Sequence, residues 1–280
     1  MHIRFLGTLL LAMIAIPALA QEEEKTLGWS NVADLGFVLT SGNSSTSTFA
    51  FDNKTTRAWE NAELGFRFGA LRTETTDDRF AQGTENDFEI IDPERNLDNE
   101  RFYVIGQYQR NISDRFFWLT GAGWDKDKNA GIDNRTVLFA GVGNTWKDVD
   151  VHKFKTDYTI TFTKRVDVIT DPMRDENFSE LRLSADYMKK LNTSNQFDSD
   201  TIFFTNLSEV GDYRFDTMNS LTTNLNSVIA LRFSVQLLYQ NQPALEEIEL
   251  VNDIGLGTGV VIVRKKALDT ITKFSLVVTF

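Results

Sequence analysis

Apolar and polar residues alternate along this chain from Trp29 to the final Phe280, and no sustained 3.6-residue period interrupts them. Ala33, Leu35, Phe37 and Leu39 fall on one face of a strand, and Asp34, Gly36, Val38 and Thr40 on the other. The turn SGNSS (41–45) then reverses the chain into a strand that sets Phe49 and Phe51 against Thr48, Asp52 and Lys54. After RAWENA (57–62), Leu64, Phe66, Phe68 and Ala70 share one face, and Glu63, Gly65, Arg67 and Gly69 share the other. Charges at every second position beside aromatics mean that the two faces meet different surroundings.

The same pattern recurs over residues 100–109, 115–125, 135–146, 153–164, 179–190, 196–207, 213–225, 226–240 and 267–280. Together these predict about twelve strands of about ten residues, the length a tilted strand needs to cross a bilayer. An even count returns both chain ends to one side.

The connections alternate in length. RAWENA, NISD, KDVDVH, LNTSN and TNLNS are short; residues 73–99, 126–134, 165–178, 208–212 and 241–266 are mostly longer, with the first hairpin turn a short exception. Short turns on one side and long loops on the other are the asymmetry of an outer-membrane barrel, in which the short turns are periplasmic. Trp29, Trp59, Trp118, Trp124 and Trp146 fall at or near strand ends, where a barrel wall carries its interfacial aromatic girdle. In hydrocarbon an unsatisfied backbone N–H or C=O costs several kcal/mol, so the last strand must pair with the first. The fold class predicted is therefore all-β, a transmembrane antiparallel up-and-down barrel.

Composition sharpens this picture. Arg4, an apolar stretch over 5–16, and Ala18 and Ala20 before Gln21 have the layout of a cleaved secretory signal, which predicts removal of residues 1–20 and export through the Sec pathway. Residues 21–280 then form one barrel domain, since no Pro/Ser/Gly-rich linker divides them. Loss of Arg4 leaves 28 basic residues against 40 acidic ones, a net charge of −12. Such acidity disfavours nucleic acid as a partner. The chain contains no cysteine, so its stability rests on a continuous hydrogen-bonded framework rather than on disulfides. No later stretch approaches the roughly 18 apolar residues of a transmembrane helix, and a membrane would be entered as strands.

Three stretches carry a family resemblance: GWSNVADLGFVLTSGNSSTSTF, RFFWLTGAGWDKDKNAGIDNRTVLFAGVGNTW, and LLYQNQPA followed by a last strand ending in phenylalanine. In order and spacing they resemble the YdiY-like family of salt-induced outer-membrane proteins, a family of unknown function. The resemblance implies a barrel of the bacterial outer membrane and assigns no catalytic residue. The chain departs from the family pattern after Gln242, where EEIELVNDIGLGTGVVIVRKK leaves room for an extra hairpin through 255–263.

Candidate chemistry is sparse. His152 is the one histidine of the exported part and lies in the turn KDVDVHK, away from the outer rim where a lipid-modifying site would be expected. Residues 73–99 hold nine acids against Arg79 and Arg95, and DKDKNAGID adds more, but neither has EF-hand spacing; a solvated acidic loop is the simpler reading. GLGTG (255–259) lacks the Lys-Ser/Thr of a phosphate loop. No cofactor is predicted.

The inward face is more informative. Alternation places Asp34, Glu63, Arg67, Asp157, Arg182, Asp186, Lys190 and Arg232 in the lumen, with Gln107, Gln109 and Gln236. Mixed charge excludes an apolar ligand cavity and leaves either a salt-bridged filling or a narrow water-lined channel. Phe274, Leu276, Val278 and Phe280 form an outward row that closes the wall and resembles the C-terminal signal read by the barrel-assembly machinery. The expected function is a narrow channel or an envelope-stabilising barrel without enzymatic activity, surrounded by outer-membrane lipids and lipopolysaccharide. Two rivals remain: a lipid-modifying barrel using His152, and a soluble periplasmic β-sandwich that binds a partner.

Overall fold

The computed structural model describes residues 27–41, 49–73, 80–84, 87–91, 99–251 and 257–280. The signal segment 1–20 and the turn 41–45 beyond Ser41 lie outside them. Twelve strands close into an antiparallel barrel: β1 (Gly28–Ser41), β2 (Phe49–Ala58), β3 (Ala62–Thr73), β6 (Asn99–Asn111), β7 (Phe116–Asp127), β8 (Ile132–Val149), β9 (His152–Asp167), β10 (Asn177–Lys190), β11 (Asn195–Asn206), β12 (Tyr213–Asn224), β13 (Ile229–Gln240) and β16 (Leu268–Thr279). Four short strands, β4 (Phe80–Thr84), β5 (Asp87–Ile91), β14 (Leu245–Val251) and β15 (Gly257–Arg264), form a separate sheet.

Closure runs through the last strand. Leu35 stands opposite Leu276 and Phe37 opposite Phe274, while the backbones of Asn31 and Phe280 exchange hydrogen bonds of 3.1 and 2.9 Å. On its other edge β16 pairs with β13, where Phe274 packs against Phe233 at 4.8 Å between ring centroids. No wall strand is left with an open edge, which is what a hydrocarbon surrounding demands.

The alternation read from the sequence holds through the wall. Phe66, Phe68, Phe102, Val104, Leu138, Val142, Ile160, Phe162, Leu231, Phe233, Phe274 and Leu276 are exposed on the outside, whereas Asp34, Asp157, Thr159, Thr161, Glu180 and Ser275 are buried on the inside. Glycine serves a packing purpose on β7 and β8. A Cβ at Gly121 would run into the Phe139 ring and one at Gly143 into Phe117, so both aromatics lie flat against the inner wall, buried with Leu119 and flanked by Ile105 and Val137.

Two expectations need correction. The β7–β8 connection is not a loop over 126–134: the ladder continues through Asp127 opposite Ile132, leaving only residues 128–131 as a turn. Charges of DKDKNAGID, read as solvated, instead pair across the hairpin, Asp125 with Arg135 of β8 at 2.9 Å and Lys126 with Asp133 at 2.8 Å. Residues 73–99 and 241–266, read as loops apart from a possible hairpin over 255–263, contain β4, β5, β14 and β15. The hairpin is real, but its first strand starts at Leu245.

Candidate functional site: the lumen and the sheet across its mouth

The inner wall is built from cross-strand ion pairs. Arg67 contacts Asp52 at 3.0 Å, Arg101 contacts Asp127 at 3.3 Å, and Arg182 contacts Asp157 at 2.8 Å, each between adjacent strands. Asp157 is also held by the Ser184 hydroxyl. Glu180, buried on β10, accepts from Thr163 at 2.6 Å and pairs with Arg214, which reaches over β11 and lies 3.8 Å above the Phe204 ring. Asp34 on β1 takes Lys273 of β16 at 3.2 Å and Arg232 of β13 at 3.0 Å. Low dielectric makes such pairs strong, and the cost of desolvating each carboxylate is offset by the cation beside it, with a hydroxyl added at Asp157 and Glu180.

A second set of lumenal charges has no ion-pair partner among the described residues. Asp186 and Asp200 stand directly opposite each other on β10 and β11; Asp198 and Asp216 accept only from amides, Gln196 at 2.8 Å and Gln236 at 2.8 Å. Lys54 of β2 faces this group across the lumen, within electrostatic reach of Asp186, Asp198 and Asp200. Among the charges without an ion-pair partner, the acids lie along β10–β12 and the base, Lys54, on β2, while an apolar cluster of Phe117, Leu119 and Phe139 lines part of β7 and β8. Two cavities open between them. One of about 200 Å³ is lined by Arg101, Arg135, Arg182, Arg214, Phe139 and Phe204 among others; one of about 70 Å³ lies beside Asp52, Arg67, Tyr103 and Lys273.

The mouth at the long-loop end is spanned by the extra sheet. β4 pairs with β14 in parallel, Ala81 standing opposite Leu250, so the two long connections are joined. Ala81, Ile248, Leu250 and Val261 form a small core with Phe88 and Val263. The stem of this sheet leaves the wall between β13 and β16 and reaches the β7–β8 and β9–β10 connections. Arg264 donates to Asp171 at 3.2 Å and to the Pro243 carbonyl at 2.8 Å; Arg174 donates to the Gln242 carbonyl at 2.5 Å and to Asp167 at 2.9 Å. Ala244 packs beside Gly131, whose φ of 73° excludes most other residues at that turn. β16 and β8 are six places apart in the ring of twelve, so the stem crosses the mouth from one side to the other.

Each residue singled out from the sequence has a definite place. Asp34, Arg67, Asp157, Arg182 and Arg232 enter the ion-pair network, Asp186 belongs to the unpaired acids, and Glu63 and Lys190 lie at lumenal positions near the short-turn rim. Phe274, Leu276 and Phe280 project outward, and Val278 shares their face. Trp29, Trp59, Trp118 and Trp146 are exposed outside near the short-turn rim, with Arg57 stacked between Trp29 and Trp59 at 5.5 and 5.6 Å; Trp124 lies towards the other rim, its indole N–H on Asn134 at 2.8 Å. His152 faces outward against Tyr187 at 5.2 Å, its Nε2 without a hydrogen bond. Sequence reasoning missed Arg101, Asp125, Asp127, Arg135, Glu180, Asp198, Asp200, Arg214, Asp216 and Lys273, although the same alternation marks all but Asp127, which fell in a predicted loop, as inward.

This is the architecture of an outer-membrane β-barrel: a closed all-β wall, apolar outside and charged within. The chain matches the NanC porin structure with a TM-score of 0.51 at 10% identity, over 88% of this chain and 98% of that one. The KdgM porin in complex with disordered oligogalacturonate matches with a TM-score of 0.46 at 8% identity (89% and 99%), and the translocator domain of autotransporter NalP from Neisseria meningitidis with 0.48 at 7% (92% and 90%). Comparison with curated protein sequences gives no match. Residues 33–280 match the model of the family described as protein of unknown function, DUF481, and the chain belongs to that family.

Proposed function

We propose that this protein is a narrow, water-lined channel of the bacterial outer membrane for small hydrophilic solutes, with its short turns in the periplasm and its extra sheet outside the cell. One observation carries the reading. Every lumenal ion pair among the described residues lies within one strand, as Arg165 with Asp167 on β9, or joins strands that are adjacent or one apart, so the guanidinium groups are pinned along the wall and none bridges the bore. A barrel filled for mechanical strength would gain most from pairs across the diameter. The separation of the unpaired acids from Lys54 gives a transverse field that favours oriented, polar solutes over apolar ones. The porin named in the NanC structure agrees with this assignment.

The surroundings follow from the same reading. The tryptophans near the rims are the interfacial girdle, lipids and lipopolysaccharide cover the outer wall, and the Phe274 to Phe280 row is the address read by the assembly machinery before closure. His152 packs edge-on against Tyr187 with its Nε2 making no hydrogen bond.

The test is planar-bilayer recording of refolded protein whose heat-dependent gel mobility shows a closed barrel. Unitary current steps are expected. A correctly inserted barrel that stays silent, both as wild type and after deletion of 245–264, would overturn the channel and leave a structural role.

A further inference from the structure

The outer wall carries a defect that the single barrel does not explain. On β11 and β12, Ser199 stands opposite Asn219 and Thr201 opposite Thr217, all four on the outward face. Phe197 and Leu221 bracket this square towards the short-turn rim, and Phe203 and Phe215 towards the other. It therefore sits at mid-height, where a lipid-facing wall is expected to be apolar.

A polar group near the short-turn rim of the outside satisfies itself. Asn31 donates to Asn53 at 2.9 Å and to Thr55 at 2.7 Å, and Asn53 returns a bond to Asn31 at 3.0 Å, near the short-turn rim. The square does not. Thr201 and Thr217 share one hydrogen bond of 2.9 Å, and Asn219 donates one long bond of 3.4 Å to Thr217. Among the described residues the Asn219 carbonyl oxygen and the Ser199 hydroxyl make no side-chain hydrogen bond. An amide can take about four hydrogen bonds and a hydroxyl about three, and lipid tails supply none.

We propose that this square is the contact between two copies of the chain, side by side in the membrane. Serine, threonine and asparagine each donate and accept, so the patch is complementary to itself: a two-fold axis along the bilayer normal sets Asn219 of one copy against Ser199 or Asn219 of the other. The four groups carry no net charge and two copies meet without repulsion. Ala185, opposite Thr201 on β10, keeps the approach to this face open. Copies inserted by one route share one orientation, which such an axis requires. The inference rests on the barrel lying in a membrane, not on its conducting.

The absence of cysteine makes the test clean. Ser199→Cys and Thr201→Cys are made singly, with Val104→Cys on β6, nearly opposite in the ring, as the control. After reconstitution and a check of heat-dependent mobility, a short bismaleimide should link Ser199→Cys or Thr201→Cys into dimers and leave Val104→Cys monomeric. Ser199→Ala with Asn219→Leu should keep the barrel folded while weakening self-association about tenfold or more, read from its concentration dependence in bilayers. A wild type that is monomeric at every concentration overturns the proposal. So do dimers that link through Val104→Cys, dimers that persist in the apolar double variant, and a link from Ser199→Cys to a different protein.

Discussion

Asp34 on β1 and Arg232 on β13 form an ion pair of 3.0 Å although 198 residues separate them and the last strand lies between them. With Lys273 of that strand at 3.2 Å from the same carboxylate, three strands are clamped across the seam where the barrel closes.

Removing the carboxylate leaves two cations facing each other in a confined space. Asp34→Ala should lower stability by about 2–4 kcal/mol, towards the low end because Arg232 is partly hydrated. Urea unfolding of the refolded barrel, followed by loss of heat-dependent mobility, checks this. The seam is not held by this clamp if the midpoint is unchanged.

The unpaired acids should set ion preference. A unit charge about 8 Å away in water is worth about 0.5 kcal/mol, roughly twofold in local ion concentration. Asp186→Asn and Asp200→Asn should each move the reversal potential in a potassium chloride gradient towards anions, and Lys54→Gln should move it towards cations. Raising the salt should shrink all three shifts as screening grows.

The stem across the mouth should limit the current. Asp171→Ala releases Arg264, and Arg174→Ala releases the Gln242 carbonyl and Asp167. Either change should raise unitary conductance and expose residues 241–267 to added protease on intact cells. Conductance and cleavage identical to wild type would place the bottleneck inside the wall.

The outward row should tolerate no charge. Phe274→Asp removes the packing on Phe233 and places a carboxylate in hydrocarbon, costing about 2 kcal/mol or more. Less assembled barrel should appear in the outer membrane, measured as the heat-shifted band. Phe280→Ser should reduce assembly while changing the stability of refolded protein little, since Phe280 is 76% exposed and only its backbone is paired.

Much of this molecule was legible in its residues. Asp34, Gly36 and Arg67 read as inward, and Leu35, Phe66 and Phe274 as outward, because a strand turns successive side chains to opposite faces whatever it pairs with. The number of wall strands followed from the same period, and the segregation of short from long connections from their lengths. Lumenal Glu180, Asp200 and Arg214 could have been read the same way. Asp127 could not, because the stretch over 126–134 read as a solvated loop until the hairpin sets it opposite Ile132 and against Arg101.

Partner choice was decided only in three dimensions. Alternation tells which face a charge occupies but not which strand lies beside it, and Arg232 meets Asp34 only because closure brings β13 within one strand of β1. The same holds for β4 and β14, whose parallel pairing joins segments more than 150 residues apart across the barrel mouth. Local period fixes the wall strand by strand, since it depends on backbone geometry alone. Which charges cancel, which stay free to act on a solute and what spans the mouth depend on the ring's register, a property of the closed barrel and of no single stretch.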